Sequence, residues 1–410
     1  MPIRPSTVRS FDVVGSLAAD LPHAGLAAAL ARAGGIGLLD LEFVHDAALA
    51  QRNFEQLCAA SDARIGLRVT PASAALAREL IIRADERALI VVVAGTDDFP
   101  ALRREIGLRA GDRAWAELLD PAQLEHATAC DAIVIRGHEA GGWVGEYTSL
   151  VLLQKLDQLQ RHAGNAALPV YVQGGIGAHA AVACRAAGAA GVIFDDALLL
   201  LAESPLPVSL QNELGRLNGA ETRLLGEQLD MSCRVYARPA SPLLKAADED
   251  QRQCEAGTLT RDDWRSRTIA RIGWSADGST LLPLGQSVGL ASAFRQKYGS
   301  AARLVQAIRR DSLRQIEQAA QQRALDEHGA LARSHGTRFP LAQGPMTRVS
   351  DSPAFAVEVA KGGALPFLAL ALMRGAQVRE MLEQTAATIG DAPWGVGLLG
   401  FIPQQLREEQ

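Results

Sequence analysis

Residues 170–196 read VYVQGGIGAHAAVACRAAGAAGVIFDD. An apolar run ends in Gly174-Gly175, an alanine-rich segment of helical pattern follows, and a second apolar run closes the stretch. The pattern predicts strand, helix, strand. Both apolar runs are nearly continuous rather than alternating, as expected for parallel strands buried on two faces. Outward from this stretch the same rhythm fills the first 205 residues. Strands are predicted at 11–16, 36–43, 64–70, 87–95, 114–120, 131–137, 169–175 and 190–196, with helical patterns such as 23–33, 72–84 and 180–188 between most of them. Eight such units in about two hundred residues predict an α/β fold, a TIM (β/α)8 barrel spanning 1–205. The rival is a doubly wound open sheet. The count favours the barrel, and so does the absence of a GxGxxG turn after the first strand.

The bulk composition narrows the function classes. The chain has 410 residues, 48% of them hydrophobic, and a formal net charge of -5. That suffices for a large core and offers no basic stripe for nucleic acid. The five cysteines are widely spaced without a CxxC pair, so free thiols in a reducing compartment are expected. No metal-ligand cluster is expected. No apolar run is long enough to span a bilayer and no signal core opens the chain, so a cytoplasmic protein without membrane contact is expected.

Residues 206–280 turn Pro-rich, polar and charged, and predict an insertion with some helix. Ordered patterning returns at 281–299, so that 206–300 completes the first unit. Residues 301–335 predict a long, charged amphipathic helix as connector. From 336 to 410 the chain repeats itself. FPLAQGPMTRVSDSPAFAVEVAKGGALPFLAL (339–370) lies over FDVVGSLAADLPHAGLAAALARAGGIGLLDLE (11–42) without a gap, placing Phe339 on Phe11 and Gly362-Gly363 on Gly34-Gly35. This predicts the truncated start of a second, similar barrel within a longer protein.

Glycines at the carboxyl ends of buried strands let main-chain N–H groups approach an anion, and a following helix adds a favourable dipole. Gln173, Gly174 and Gly175 after one strand and Gly191 with Asp195 on the next are the candidates for a phosphate seat, the usual position in such barrels. The alternative is that the glycines only make tight turns. RGHEAGGWVGEYTSL (136–150) leaves the preceding strand and carries His138, Glu139, Gly141, Gly142 and Trp143 to the same face.

GHEAGGWVG, VQGGIG…AAGAAGVIFD and PLGQSVGLA, in this order, resemble the nitronate monooxygenase family. That family includes the flavin-type enoyl-acyl-carrier-protein reductases and reductase subunits of polyunsaturated fatty acid synthases. AQGPMTRVSD…KGGALPFLALALM (342–373) is similar to the family's N-terminal signature. The resemblance implies an FMN-dependent oxidoreductase domain, reduced by NAD(P)H, acting on an acyl thioester or a nitronate-like small molecule. Tandem copies with Pro-rich linkers look like modules of a polyketide or fatty-acid synthase, which implies other domains and an acyl carrier protein as partners. It also implies that Gln286 and Ser287 reach the flavin edge, although Ser287 could equally cap the helix that follows.

Two departures bear on activity. The family's loop usually reads EAGGH, and its histidine handles substrate protons; here the position is Trp143, whose indole N–H only donates. His138 and Glu139 are the replacement acid–base candidates, against an exposed loop histidine and a carboxylate that merely orders its own loop. Where the family has a Gly-Thr pair at the phosphate, this chain has Asp195-Asp196. A carboxylate facing a phosphate is repulsive. The alternative function is therefore a degenerate, non-catalytic barrel used as scaffold or carrier-protein docking module.

Overall fold

The structure is a computed structural model that describes residues 11–60, 63–127, 129–162, 168–371, 373–401 and 403–409. It divides into two units, Met1–Arg314 and Gln315–Gln410.

In the first unit the strands are β1 (Asp12–Ala18), β2 (Ile36–Asp40), β3 (Ile65–Val69), β4 (Ile90–Val93), β5 (Arg113–Leu118), β6 (Ala132–Arg136), β7 (Gly142–Val144), β8 (Val170–Gln173), β9 (Gly191–Phe194), β10 (Thr222–Leu225) and β11 (Ser232–Tyr236). All of these except β7, β10 and β11 form a closed barrel in the order β1-β2-β3-β4-β5-β6-β8-β9. Every neighbouring pair is parallel, including β9 with β1. The eight strands predicted from the sequence are these eight.

Successive side chains on a strand point to opposite faces, and the barrel uses both faces for apolar packing. Val14, Ile36, Leu38, Val92, Trp115, Val134, Tyr171 and Ile193 fill the interior, with the Trp115 and Tyr171 rings stacked 4.0 Å apart. Their chain neighbours Val13, Leu39, Val91, Ile133, Val172 and Val192 face the surrounding helices. This two-sided burial explains the near-continuous apolar runs. Close strand–helix approach needs glycine at Gly37, where an added Cβ would stand 2.3 Å from the Ala27 carbonyl oxygen. At the amino end of the barrel Asp12 is held by Arg64 (2.6 Å) and by the Tyr171 hydroxyl (2.9 Å).

The insertion is richer in strand than the sequence suggested. β7 leaves the barrel after β6 and pairs antiparallel with β11, which pairs antiparallel with β10. Thr222, Arg223, Ser232 and Arg234 on β10 and β11 masked the strand pattern, although most of β11 is buried. Trp264, Leu225, Cys233, Val235 and Ile272 make its own core. The predicted connector is two helices, Ala301–Gln322 and Ala330–Ser334. Left-handed backbone at Arg323 and His328 breaks the helical run.

In the second unit β12 (Ala342–Gln343), β13 (Leu365–Ala369) and β14 (Gly395–Gly397) form a parallel three-stranded sheet. Helices Pro353–Lys361 and Gly375–Ile389 join them, with Ala356, Leu368, Val378 and Met381 in a common core. β1 meets β2 at Val14 and Ile36, whereas β12 meets β13 at Ala342 and Leu365. The second crossover is thus one residue longer. The glycine with φ +88° is Gly34 in the first unit and Gly363 in the second, so the gapless overlay of the two segments slips by one residue before the second strand. All five cysteines are free. Among the described residues no helix is long and apolar enough to cross a membrane, and no metal-ligating cluster occurs.

Candidate functional site

The period-two rule that fills the interior also dictates what stands at the barrel mouth. Ser16, Asp40, Glu117, Arg136, Gln173 and Asp195 each lie two residues beyond an interior apolar residue, namely Val14, Leu38, Trp115, Val134, Tyr171 and Ile193. Arg68 stands two beyond Gly66. The inward-facing layer at the carboxyl ends of the strands is therefore polar almost throughout.

One half of this layer is an ion cluster. Arg68 is buried and donates to Glu117 through two bonds of 2.6 Å, to Asp40 at 3.1 Å, and to Glu42 at 3.1 Å. Arg136 stands 3.7 Å from Glu42 and donates to the Gly141 carbonyl. Burial alone would raise the Glu117 carboxyl, but Arg68 outweighs it and holds Glu117 below its ordinary range. Glu42 goes the other way: burial raises it, and Arg68 and Arg136 offset only part of that rise. Three carboxylates share two guanidinium groups, and Glu42 is the one left incompletely charged-balanced.

The other half is a closed set of hydrogen bonds around Asp195. Ser287 Oγ donates to Asp195 Oδ1 at 2.6 Å, the Asp196 main-chain N–H donates to the same oxygen at 2.8 Å, and Gln173 Nε2 donates to Oδ2 at 3.3 Å. Asp196 is fully buried and accepts the Gly285 N–H at 2.6 Å. Burial, and then the neighbouring Asp195 charge, push the Asp196 carboxyl well above the usual range. Two chain segments lock over this tip. A Cβ on Gly141 would stand 2.1 Å from the Pro283 carbonyl oxygen, and one on Gly285 would stand 2.5 Å from that of Glu139.

The residues expected from sequence part company here. Gln173, Asp195 and Ser287 meet at one point, and Gly174 and Gly175 take positive φ beside them. Ser287 does not cap a helix; its hydroxyl is spent on Asp195. Gln286 is exposed and holds the Glu139 carbonyl through its main chain at 2.8 Å. Gly191 is not at this rim. It opens β9 at the opposite end of the barrel, where an added Cβ would meet the Asp12 carbonyl oxygen at 2.5 Å. Gly191 is therefore no part of a phosphate seat with Gly174 and Gly175, because β9 runs three residues past it before the mouth is reached. His138 donates Nδ1–H to the Gly145 carbonyl at 3.0 Å, a carbonyl being an acceptor only. Glu139 accepts from the Ser149 N–H at 3.0 Å and orders its own loop. Trp143 packs edge-on to Trp264 at 6.0 Å, with the Arg265 guanidinium 5.0 Å over its ring.

Two cavities open on the mouth. One of about 650 Å3 lies over β3, β4 and β5 and is lined by Glu42, Arg68, Glu117, Trp143, Met231 and Arg265 among others. The second, about 50 Å3, lies at the β1, β6 and β8 side and is lined by Ser16, Asp40, Glu42, Arg136, Gln173 and Asp195. Sequence reasoning missed Glu42, Arg68 and Arg136. The available signal was a charged residue on an inward position of an otherwise apolar strand, as in IGLRV and AIVIR.

No protein-family model matches the sequence, and no curated protein matches it significantly. Solved structures do match. FabK from Thermotoga maritima superposes with a TM-score of 0.61 at 17% identity, covering 76% of this chain and 96% of that one. A nitroalkane oxidase from Streptomyces ansochromogenes gives 0.53 at 20% identity, covering 76% and 97%. The enoyl reductase domain of MlnA, from the macrolactin biosynthesis cluster of Bacillus amyloliquefaciens, gives 0.56 at 11% identity, covering 75% and 95%. The chain has the fold of these proteins. They are the kinds of protein that its glycine motifs resemble, and at these identities the likeness speaks for the fold.

FMN, the cofactor implied by the motif resemblance, does not fit the seat as these residues build it. A phosphate ester at the β8 and β9 tips would meet the Asp195 carboxylate where its own oxygens should lie. The space beside it is about 50 Å3, room for a few waters.

Proposed function

We propose that the first unit is a barrel of the enoyl reductase and nitronate monooxygenase type that no longer loads FMN, and that it serves a polyketide or fatty-acid synthase as a scaffold or carrier-protein docking module. The observation that carries this reading is the internally satisfied Asp195, with Ser287, Gln173 and the Asp196 N–H filling its acceptor sites. The Ser287, Gln173 and Asp196 donors at this tip are spent on a fixed carboxylate, which repels a second anion. The loop chemistry supports the same reading. His138 through Nδ1 and Glu139 through its carboxylate both bond within their own loop, and Trp143 has no proton to exchange. The test is NAD(P)H consumption by the purified chain with added FMN and either an enoyl thioester or a nitronate. None is expected; FMN-dependent turnover would contradict the reading.

A second reading, an oxidoreductase acting on an acyl thioester or nitronate-like molecule, draws on the cavity of about 650 Å3 over β3 to β5. It requires the flavin to be held without the usual phosphate seat, and the turnover assay separates the two. The second unit, with its β12-β13-β14 sheet, fits the beginning of a further barrel of the same kind.

A further inference from the structure

Two buried side chains at the mouth have donors without partners. Arg136 is 4% exposed, and its Nε and Nη1 have no hydrogen-bond acceptor; Ser16 is 6% exposed, and its hydroxyl has none either. Both line the same cavity of about 50 Å3 as Gln173 and Asp195. Leaving such donors unsatisfied costs roughly 1–3 kcal/mol each, more when the group is charged. They therefore mark a place built to face an acceptor. Ser16, Arg136 and Gln173 line this cavity from β1, β6 and β8, and Ser287 reaches Asp195 at its edge from the return segment. Of the carboxylates that line this cavity, Asp40 and Glu42 are paired with Arg68, whereas Asp195 meets only the uncharged donors Ser287, Gln173 and the Asp196 N–H.

We propose that Asp195 is a built-in anion occupying a phosphoryl-binding seat made by Ser16, Arg136, Gln173, Ser287 and the Gly174–Gly175 turn, and that this one carboxylate keeps the seat shut. This rests on the flavin-free reading above. Removing the side chain adds its volume to the adjacent cavity, frees the Ser287 hydroxyl and the Gln173 amide, and leaves the Arg136 guanidinium facing the opening. Asp196 does not take over the blocking role, because its carboxyl is turned to the Gly285 N–H, from which it accepts at 2.6 Å.

The experiment is calorimetric titration of inorganic phosphate, and separately of FMN, into the full chain and into Asp195→Gly, with circular dichroism confirming the fold. The unaltered chain is expected to bind neither. Asp195→Gly is expected to bind phosphate at least about tenfold more tightly, the equivalent of removing about 1.4 kcal/mol of repulsion. Adding Ser287→Ala to it should weaken that binding. If neither protein binds phosphate, the latent-seat inference is wrong while the flavin-free reading stands. If the unaltered chain binds FMN, both fall. Should Asp195→Gly not fold, Asp195→Asn decides: a gain in phosphate affinity over the unaltered chain supports the proposal, and no gain overturns it.

Discussion

Arg68 is the residue on which the barrel mouth depends. It neutralises Glu117 and Asp40 and partly neutralises Glu42, all in a space nearly closed to water. Arg68→Ala would leave buried carboxylates unpaired and should cost about 3–5 kcal/mol, read from urea unfolding. A loss below about 1 kcal/mol would show the cluster to be wetter than described. Asp196 gives a pH prediction of definite sign. Its folded pKa is raised, so the folded state binds a proton that the unfolded state has released once pH exceeds the ordinary carboxyl range. Stability therefore falls as pH rises from there toward the raised value. Asp196→Asn, which keeps an acceptor for the Gly285 N–H, should be more stable than the parent at neutral pH and should show a shallower decline with pH. Equal pH slopes in parent and variant would refute this. Little at this scale was visible in the sequence alone. Trp143 and Asp195 stood out because they interrupt motifs. Arg68, Glu42 and Arg136 lie in plain apolar runs, and their meaning comes from a closed barrel that brings strands far apart in sequence to one axis.

Elements were more legible where burial is two-sided. Each barrel strand was readable because helices cover one face and the barrel interior the other. β10 and β11 were not, because polar and charged residues, Arg223 and Arg234 among them, interrupt the apolar pattern of two short strands. β7 was hidden for another reason. It is three residues long inside a glycine-rich loop, and only pairing with β11 defines it. The inserted sheet has its own core around Trp264, which is fully buried. Trp264→Ala should cost about 3–5 kcal/mol within the insertion. We expect protease cleavage to appear between 206 and 280 while the barrel's far-ultraviolet dichroism persists. Simultaneous loss of barrel signal would mean that the insertion and the barrel unfold as one.

At the scale of the whole molecule the chain is two units joined through the helix Ala301–Gln322. Just beyond it Arg323 is exposed with left-handed backbone, and Leu325 is 79% exposed. Brief trypsin treatment should cut there first and release a fragment that keeps the first unit's thermal transition; first cleavage inside 11–300 would contradict this. The sequence repeat, the closed barrel and the likeness to FabK all lead to one fold, whereas function turns on a single strand tip. Gly174 and Gly175 stand at that tip, with Asp195 and the loops around Gly141 and Gly285 packed beside them. The decisive measurement is the visible spectrum of the pure full chain after incubation with excess FMN and gel filtration. A colourless protein peak is expected; a peak carrying one flavin per chain would mean that Asp195 does not close the seat.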